Sequence, residues 1–364
     1  MTLTLDTARA WVDVDLGALT ANARMLSSLT GSRLLPMVKA NGYGLGAPAV
    51  ARALEPLEPW GYGVATVGEG AALRKAGVGR PILVVSPLLA EDVDGHLAHD
   101  LRPTIGDPAG LEAWRGRGSR PFHLEIDTGM SRAGLRWDDA AAIAAIASGL
   151  QGASGWEGAF THFHSAEIDP GSAARQWARF QGVLGALPGR PPLVHAANSA
   201  GALLGRAYAG DLIRPGIFLY GGGAGGTAPA PVAALRARVV AVRRVGAGET
   251  VSYGATWRAP GATAIATLGI GYADGFLRAA CQTTPGTGPR LIELNGALAP
   301  VVGRVTMDMT MLDVGAVPPR LGDVATVYGG LVSLDQQAAA AGTIAYEMLT
   351  ALGPRVPRRY GSEP

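Results

Sequence analysis

Cysteine is almost absent. Cys281 is the only one in 364 residues, so no internal disulfide can form and no cysteine cluster can hold zinc. Excess charge of one sign is equally lacking: 31 Lys and Arg oppose 29 Asp and Glu, a formal net charge of +2. The basic residues are scattered, and the group Arg355, Arg358 and Arg359 is too short for a nucleic-acid footprint. No apolar run approaches the roughly 20 residues that a membrane span requires. Met1 to Ala10 carries Asp6 and lacks both a basic start and an apolar core, so it does not read as a signal peptide. A soluble, cytoplasmic protein with neither nucleic acid nor membrane as partner is expected. What the chain does have is apolar residues, 48% against 16% charged, which fits a folded enzyme rather than a disordered chain. Its length suffices for one large domain and a smaller one.

Up to about residue 233, short apolar runs alternate with alanine-rich amphipathic segments. The runs Leu34–Val38, Tyr62–Thr66, Ile82–Val85, Leu101–Ile105, Phe122–Ile126, Trp156–Thr161, Leu193–Ala196 and Asp211–Ile213 read as strands. Helices are predicted between them, among them Leu16–Ser28, Gly68–Ala76, Asp138–Ser148 and Ser172–Leu184. Such alternation implies parallel strands with helical crossovers. Eight strands in this length favour a closed TIM-type (β/α)8 barrel over an open sheet, which periodicity alone does not eliminate. The Gly/Ala/Pro-rich stretch Gly221 to Pro231 then reads as a linker, and beyond it β-rich runs such as Ala237–Val242 and Thr263–Leu268 predict a smaller, mostly β domain. The expected division is 12–233 for the barrel and 234–364 for the β domain. The start of the chain, residues 1–11 running into the strand-like Trp11–Asp15, is expected to join the second.

Reactive groups of a barrel lie at the C-terminal ends of its strands. Lys39 ends the first run, Arg132 follows the fifth, His162 ends the sixth, Ser199 follows the seventh, and Arg214 and Gly216 follow the eighth. A lysine ending a buried strand is unusual unless its charge is paired or its amine is used. A desolvated amine can form a Schiff base with an aldehyde cofactor, and a tyrosine such as Tyr43, four residues on, can hold a phosphate. The duller alternatives are a surface lysine, an Arg214 paired to Asp211, a Tyr272 buried in the β domain, and a Ser199 that caps a helix. His96 and His99, at helical spacing, read as solvated.

The motifs VKANGYGLG (38–46), DTGMSRAG (127–134), THF (161–163), HAANSA (195–200), RPGIFLYG (214–221), GYADG (271–275), GRVTMDM (303–309) and YEMLTALGPRVPRRY (346–360) run nearly end to end. Together they resemble those of alanine racemases, enzymes that use pyridoxal 5'-phosphate (PLP). The resemblance implies that Lys39 carries PLP and acts as one of two acid/base groups, with Tyr272 as the second on the opposite face of the substrate. His162 and Arg214 correspond to the cationic network that would make a tyrosine, of ordinary pKa ≈ 10, a usable base. Arg214 is further implied to donate to the PLP ring nitrogen. Because arginine keeps its proton, the ring would then be a weaker electron sink. Tyr43, Ser199, Tyr346 and the amides near Gly216 and Ile217 are implied to bind the phosphate. Arg132 is implied to meet the PLP phenolic oxygen and the substrate carboxylate. Met307 and Asp308 match a substrate-side segment supplied by a partner subunit, so a homodimer with shared sites is expected.

The implied activity is racemisation of a small amino acid, L-alanine to D-alanine, feeding cell-wall peptidoglycan. A serine or broad-specificity racemase is the alternative within that class. A non-catalytic PLP carrier would need neither the β domain nor Tyr272, and a barrel-type decarboxylase would call for an acidic partner at the ring nitrogen. No metal is expected, because the last histidine is His195 and no C-terminal His–Cys pair exists. Glu125 stands where many relatives have a lysine that is carbamylated and braces the motif arginine, here Arg132. Thr306 replaces a common cysteine, and Glu167 an entrance aspartate.

Overall fold

The structure, a computed structural model, describes residues 7–117, 120–152, 154–281 and 290–361. Strand β1 (Ala10–Asp15) opens it and ends where the Asp15 carboxylate accepts the Ala18 amide at 2.8 Å, capping the helix Leu16–Thr30. The strand–helix alternation then produces β2 (Arg33–Leu34), β3 (Tyr62–Val64), β4 (Ile82–Pro87), β5 (Arg102–Ile105), β6 (Phe122–Asp127), a short β7 (Leu135–Arg136) beside β6, β8 (Trp156–Phe160), β9 (Leu193–His195) and β10 (Leu212–Ile213). The sheet β3-β4-β5-β6-β8-β9 is parallel throughout, and β10 pairs in parallel with β2 through Ile213 and Leu34.

Backbone bonds close the ring. The Val38 amide donates to Gly63 O at 2.8 Å and the Met37 amide to Pro215 O at 2.9 Å, while across β9 and β10 Asp211 donates to Val194 O at 2.7 Å. The eight strands therefore form a barrel, not an open sheet. The first strand is shorter than Leu34–Val38 because Pro36 has no amide to donate, so pairing past Leu34 survives as single bonds.

The remainder is β-rich: β11 (Ala233–Val245), β12 (Thr250–Val251), β13 (Trp257–Arg258), β14 (Thr263–Leu268), β15 (Leu291–Leu294), β16 (Ala297–Pro300), β17 (Thr310–Gly315), β18 (Val324–Tyr328) and β19 (Arg358–Gly361). The long β11 is the spine, pairing with β1, β14 and β18. The whole of β1 lies in this sheet, antiparallel to β11 and parallel to β19, so residues 12–15 pair with it rather than with the barrel. One continuous core joins the two halves, from Leu19, Val50 and Tyr62 to Leu235, Ile292 and Val327.

A helix over Leu334–Ala340, which the fading helical pattern did not predict, packs with Ala345–Thr350. Its start is a capping box: the Ser333 hydroxyl accepts the Gln336 amide, and the Gln336 side chain accepts the Ser333 amide. The expectation for His96 also fails. It is 2% exposed, on the same helix face as Val93 and edge-on to Trp114, whereas His99 is exposed. Among the described residues no helix is long and apolar enough to cross a membrane.

Candidate active site

Lys39 leaves the barrel mouth at the start of a left-handed turn. Ala40, Asn41 and Tyr43 have φ of 50°, 55° and 52°, with Gly42 and Gly44 continuing the hand. Each non-glycine residue there costs about 1–2 kcal/mol, so the turn must be held from outside. Glu69 holds it: one carboxylate oxygen accepts the Ala40 amide and the other the Ala65 amide, both at 2.7 Å. The Tyr220 hydroxyl donates to Met37 O at 2.8 Å, fixing the chain just before the lysine. Sequence reasoning missed Glu69. Its signal was the Thr66-x-x-Glu69 pattern, in which Thr66 caps the following helix.

A cavity of 190 Å³ at the barrel mouth is lined by Lys39, Tyr43, Glu125, Arg132, His162, Ser199, Arg214, Gly216 and Tyr346, among others. The residues selected at strand ends thus meet in one place. Burial, with Arg132 and Arg214 nearby, pulls the Lys39 ammonium below its ordinary range against the opposing pull of Glu69. A lysine so placed becomes neutral, and hence nucleophilic or basic, more readily than one in water. His162 is held neutral by burial and by the charges of Arg214, Arg132 and Lys39.

Arg214 is 4% exposed, and its two terminal nitrogens bond acceptors other than Asp211. It donates to His195 Nδ1 at 2.8 Å, Thr161 O at 2.7 Å and Ala196 O at 3.0 Å, and lies 3.5 Å from His162 Nδ1. Burial lowers its pKa to about 10, which still leaves it a cation at neutral pH. Asp211 instead pairs with Arg190.

The opposite wall fits a phosphate. Ser199 Oγ accepts the Gly216 amide at 2.9 Å, which leaves its own O–H free to donate into the cavity. A Cβ on Gly216 would overlap the Tyr43 hydroxyl, so only glycine lets backbone and phenol come this close. Tyr346, 6.0 Å from Tyr43 ring to ring, turns toward the same wall. Ile217 begins the 3-10 turn Ile217–Tyr220, whose first amides have no partners within the turn. Ser199 is not the helix cap: Asn198 is, accepting the Gly201 amide at 2.8 Å. The donor set, with an amine opposite, suits a phosphorylated aldehyde.

Tyr272, Met307 and Asp308 lie elsewhere. The Tyr272 and Ala273 amides donate to Thr306 O and Met307 O, both at 3.0 Å, binding the two motifs into one surface of the β half. Arg355 bridges Asp274 and Asp308, each at 2.6 Å. Tyr272 and Met307 are 40% and 52% exposed, so neither is a core residue, and none of the three lines the cavity of its own chain. A wider opening of 680 Å³ beside the cavity is lined by His164, Glu167, Asn198 and Tyr346 among others.

Residues 14–224 match the family model "Alanine racemase, N-terminal domain", and 232–360 match "Alanine racemase, C-terminal domain". An alanine racemase of Deinococcus radiodurans is 39% identical, with 97% of this chain and 99% of that protein aligned. A biosynthetic alanine racemase of Agrobacterium fabrum is 37% identical over 95% of this chain and 92% of its own length. The crystal structure of alanine racemase from E. faecalis superposes with a TM-score of 0.88 at 33% identity, covering 99% of this chain and 100% of that one. A Bartonella henselae alanine racemase with covalently bound pyridoxal phosphate superposes at 0.89 with 29% identity, over 97% of this chain and all of that one. With both halves matched and the lysine, phosphate wall and buried arginine gathered at one barrel mouth, this chain belongs to the alanine racemase family.

Proposed function

We propose that the 190 Å³ cavity holds PLP and a small amino acid, and that the chain interconverts L- and D-alanine there. When bound through Lys39, PLP supplies the electron-withdrawing ring that makes the substrate Cα–H acidic. The chain's own residues do the rest. Tyr43, Ser199, Tyr346 and the Gly216–Ile217 amides would hold the phosphate, and Arg214 would serve the ring nitrogen as a donor that keeps its proton. Arg132 meets the substrate carboxylate. Lys39 moves the proton on one face of Cα and Tyr272 on the other, because inversion requires removal and return on opposite sides. His162 lies 3.5 Å from Arg214 and lines both the cavity and the wider opening beside it.

Since Tyr272, Met307 and Asp308 do not line their own chain's cavity, the second base and the substrate-side segment come from a partner copy. A symmetric homodimer in which each β half completes the other's barrel meets that need. The barrel unit is taken as about 12–233 and the β unit as 234–364, with β1 in the latter's sheet. The D-alanine formed is assigned to peptidoglycan precursors made in the cytoplasm.

The observation that carries this reading is the convergence of Lys39, Arg132, His162 and Arg214 on one cavity with a phosphate-sized wall. The test is to incubate the protein and PLP with single L-amino acids in D2O and follow chirality and deuterium at Cα. L-Alanine should racemise and gain deuterium, and borohydride should fix the cofactor on Lys39. Retained chirality with every amino acid, or a label on another lysine, would overturn the reading. A faster reaction with serine would change the substrate but not the chemistry.

A further inference from the structure

We infer that Arg358, on the last strand of the β half, is a positioning residue for Lys39. With Tyr360 it clamps the exit of the left-handed turn that carries the lysine, and so keeps the amine in the cavity. The inference rests on reading this cavity as the racemase site.

The turn needs holding at both ends. Ala40, Asn41 and Tyr43 all lie at positive φ, where an L-residue is strained, so a turn released from its surroundings relaxes. Glu69 grips the entrance through the Ala40 amide, and Asn41 Oδ1 accepts the Ala47 amide at 3.0 Å. The exit is held by the far end of the chain. Arg358 Nε donates to Gly44 O at 2.8 Å, and the Tyr360 hydroxyl donates to Leu45 O at 2.9 Å. The fit is close: a Cβ on Gly44 would fall on Leu349 O, and one on Gly46 on the Tyr360 hydroxyl.

The clamp is itself anchored. Arg358 Nη1 donates to Gly353 O at 2.9 Å and Val356 O at 2.6 Å, and Nη2 to Leu352 O at 3.0 Å, which leaves Nε for the turn. Its planar fork thus ties the segment after the helix Ala345–Thr350 to the turn after β2. On β19, Arg358 and Tyr360 stand in register with Val12 and Val14 of β1, so the sheet of the β half fixes both. The neighbouring arginines are otherwise engaged: Arg355 with Asp274 and Asp308, Arg359 with Asp13. The RVPRRY end of the last motif thereby gains a task in the site.

Position decides how the amine reacts. A displacement of about 1 Å can cost about a hundredfold in rate, because proton transfer needs the reacting atoms aligned. The lowered pKa of Lys39 depends on place as well. Burial lowers it first, then Arg132 and Arg214, with Glu69 opposed, and an amine that swings toward water loses the largest of these. Arg358 does not figure among those charges, so it acts through the backbone of the turn rather than through its field.

The experiment compares wild type with Arg358→Met, Arg358→Lys, Tyr360→Phe and the double variant Arg358→Met/Ala40→Gly. As holoenzyme with L-alanine, Arg358→Met should lose about thirtyfold in kcat with less than about a threefold change in KM. Arg358→Lys should recover little, since an ammonium cannot reach all four carbonyls, and Tyr360→Phe should show a smaller loss of the same kind. Adding Ala40→Gly should return part of the kcat lost in Arg358→Met, because glycine takes positive φ without the Cβ penalty. A second readout needs no activity. Lys39 and Lys75 are the only lysines of the chain, so cofactor-free full-length protein labelled with 13Cε-lysine gives a simple spectrum, in which Lys39→Ala identifies the Lys39 signal. That signal should titrate at higher pH in Arg358→Met, and by a smaller step in Tyr360→Phe.

Wild-type kcat in Arg358→Met, a loss that falls on KM instead, no recovery from Ala40→Gly, or an unmoved Lys39 titration would each overturn the inference. Should Arg358→Met fail to fold, Tyr360→Phe decides by its own kcat and Lys39 titration. If the wild type fails to racemise alanine, the functional reading fails, while the lysine titration still decides whether the clamp positions Lys39.

Discussion

Arg214 donates to Nδ1 of His195 at 2.8 Å, deep inside the barrel. Arginine has no acceptor, so this bond forces His195 to carry its proton on Nε2. That nitrogen lies 2.9 Å from His123 Nδ1, and His123 Nε2 lies 3.3 Å from Glu157. The direction of every bond in the row follows from the arginine at its head. Both imidazoles are wholly buried and held neutral, chiefly by desolvation. The arginine that faces the proposed ring nitrogen is therefore aimed by a neutral acceptor rather than by a carboxylate.

Replacing that acceptor should be expensive. His195→Leu leaves a buried guanidinium N–H and His123 Nδ1 unsatisfied, each at about 1–3 kcal/mol. We expect a loss of about 2–4 kcal/mol in unfolding free energy, measured by chemical denaturation. A loss below about 0.5 kcal/mol would mean that water or a rotated side chain fills the gap.

Acid should destabilise the protein in a window set by its buried histidines. His96, His123, His162 and His195 all have pKa values depressed by burial. The unfolded chain therefore binds protons below about pH 6.5 while the folded one does not, and stability falls as pH drops from there. Each histidine contributes up to about 1.4 kcal/mol per pH unit until its own folded pKa is reached. Glu125, with a raised pKa, runs the other way: its penalty shrinks as pH falls. Unfolding midpoints at pH 7.5, 6.5 and 5.5 should fall, most steeply below 6.5; a flat profile would show that these rings are solvated.

What the sequence disclosed, and what it hid, follow from the range of the interactions. The barrel strands were legible because each is a short apolar run between helical segments, and Lys39, His162 and Arg214 because they stand where such runs end. Tyr346 was found only through its motif, since nothing local says that a helix between β18 and β19 reaches back to the barrel cavity. Glu69 was missed because its carboxylate serves a turn 29 residues away. His96 was misread because a lone imidazole in a polar-looking helix gives no sign of the Trp114 ring that buries it.

Gly216 offers a test of the phosphate wall. A Cβ built there would fall on the Tyr43 hydroxyl, and the glycine's φ of −122° with ψ of −97° also lies outside the usual strand and helix regions. Gly216→Ala should push Tyr43 from its stack on Tyr220, at present 4.5 Å between ring centres, and cost about 1–3 kcal/mol by overpacking. PLP affinity should fall at least about tenfold, which corresponds to 1.4 kcal/mol. Unchanged PLP binding by absorbance titration would place the phosphate elsewhere.

Subunit mixing tests the shared site. Lys39 and Tyr272 belong to different halves of the chain, and only Lys39 lines the cavity. If each site takes Lys39 from one copy and Tyr272 from the other, a hybrid of Lys39→Ala and Tyr272→Phe subunits has one site with both defects and one with neither. Random exchange makes half the dimers hybrid, so about a quarter of wild-type activity should return from two inactive parents. If instead each chain completed its own site, every site in the hybrid would carry one defect and nothing would return. Exchange itself is followed by tagging one parent, so that silence from mixed dimers counts against the shared site and not against the mixing.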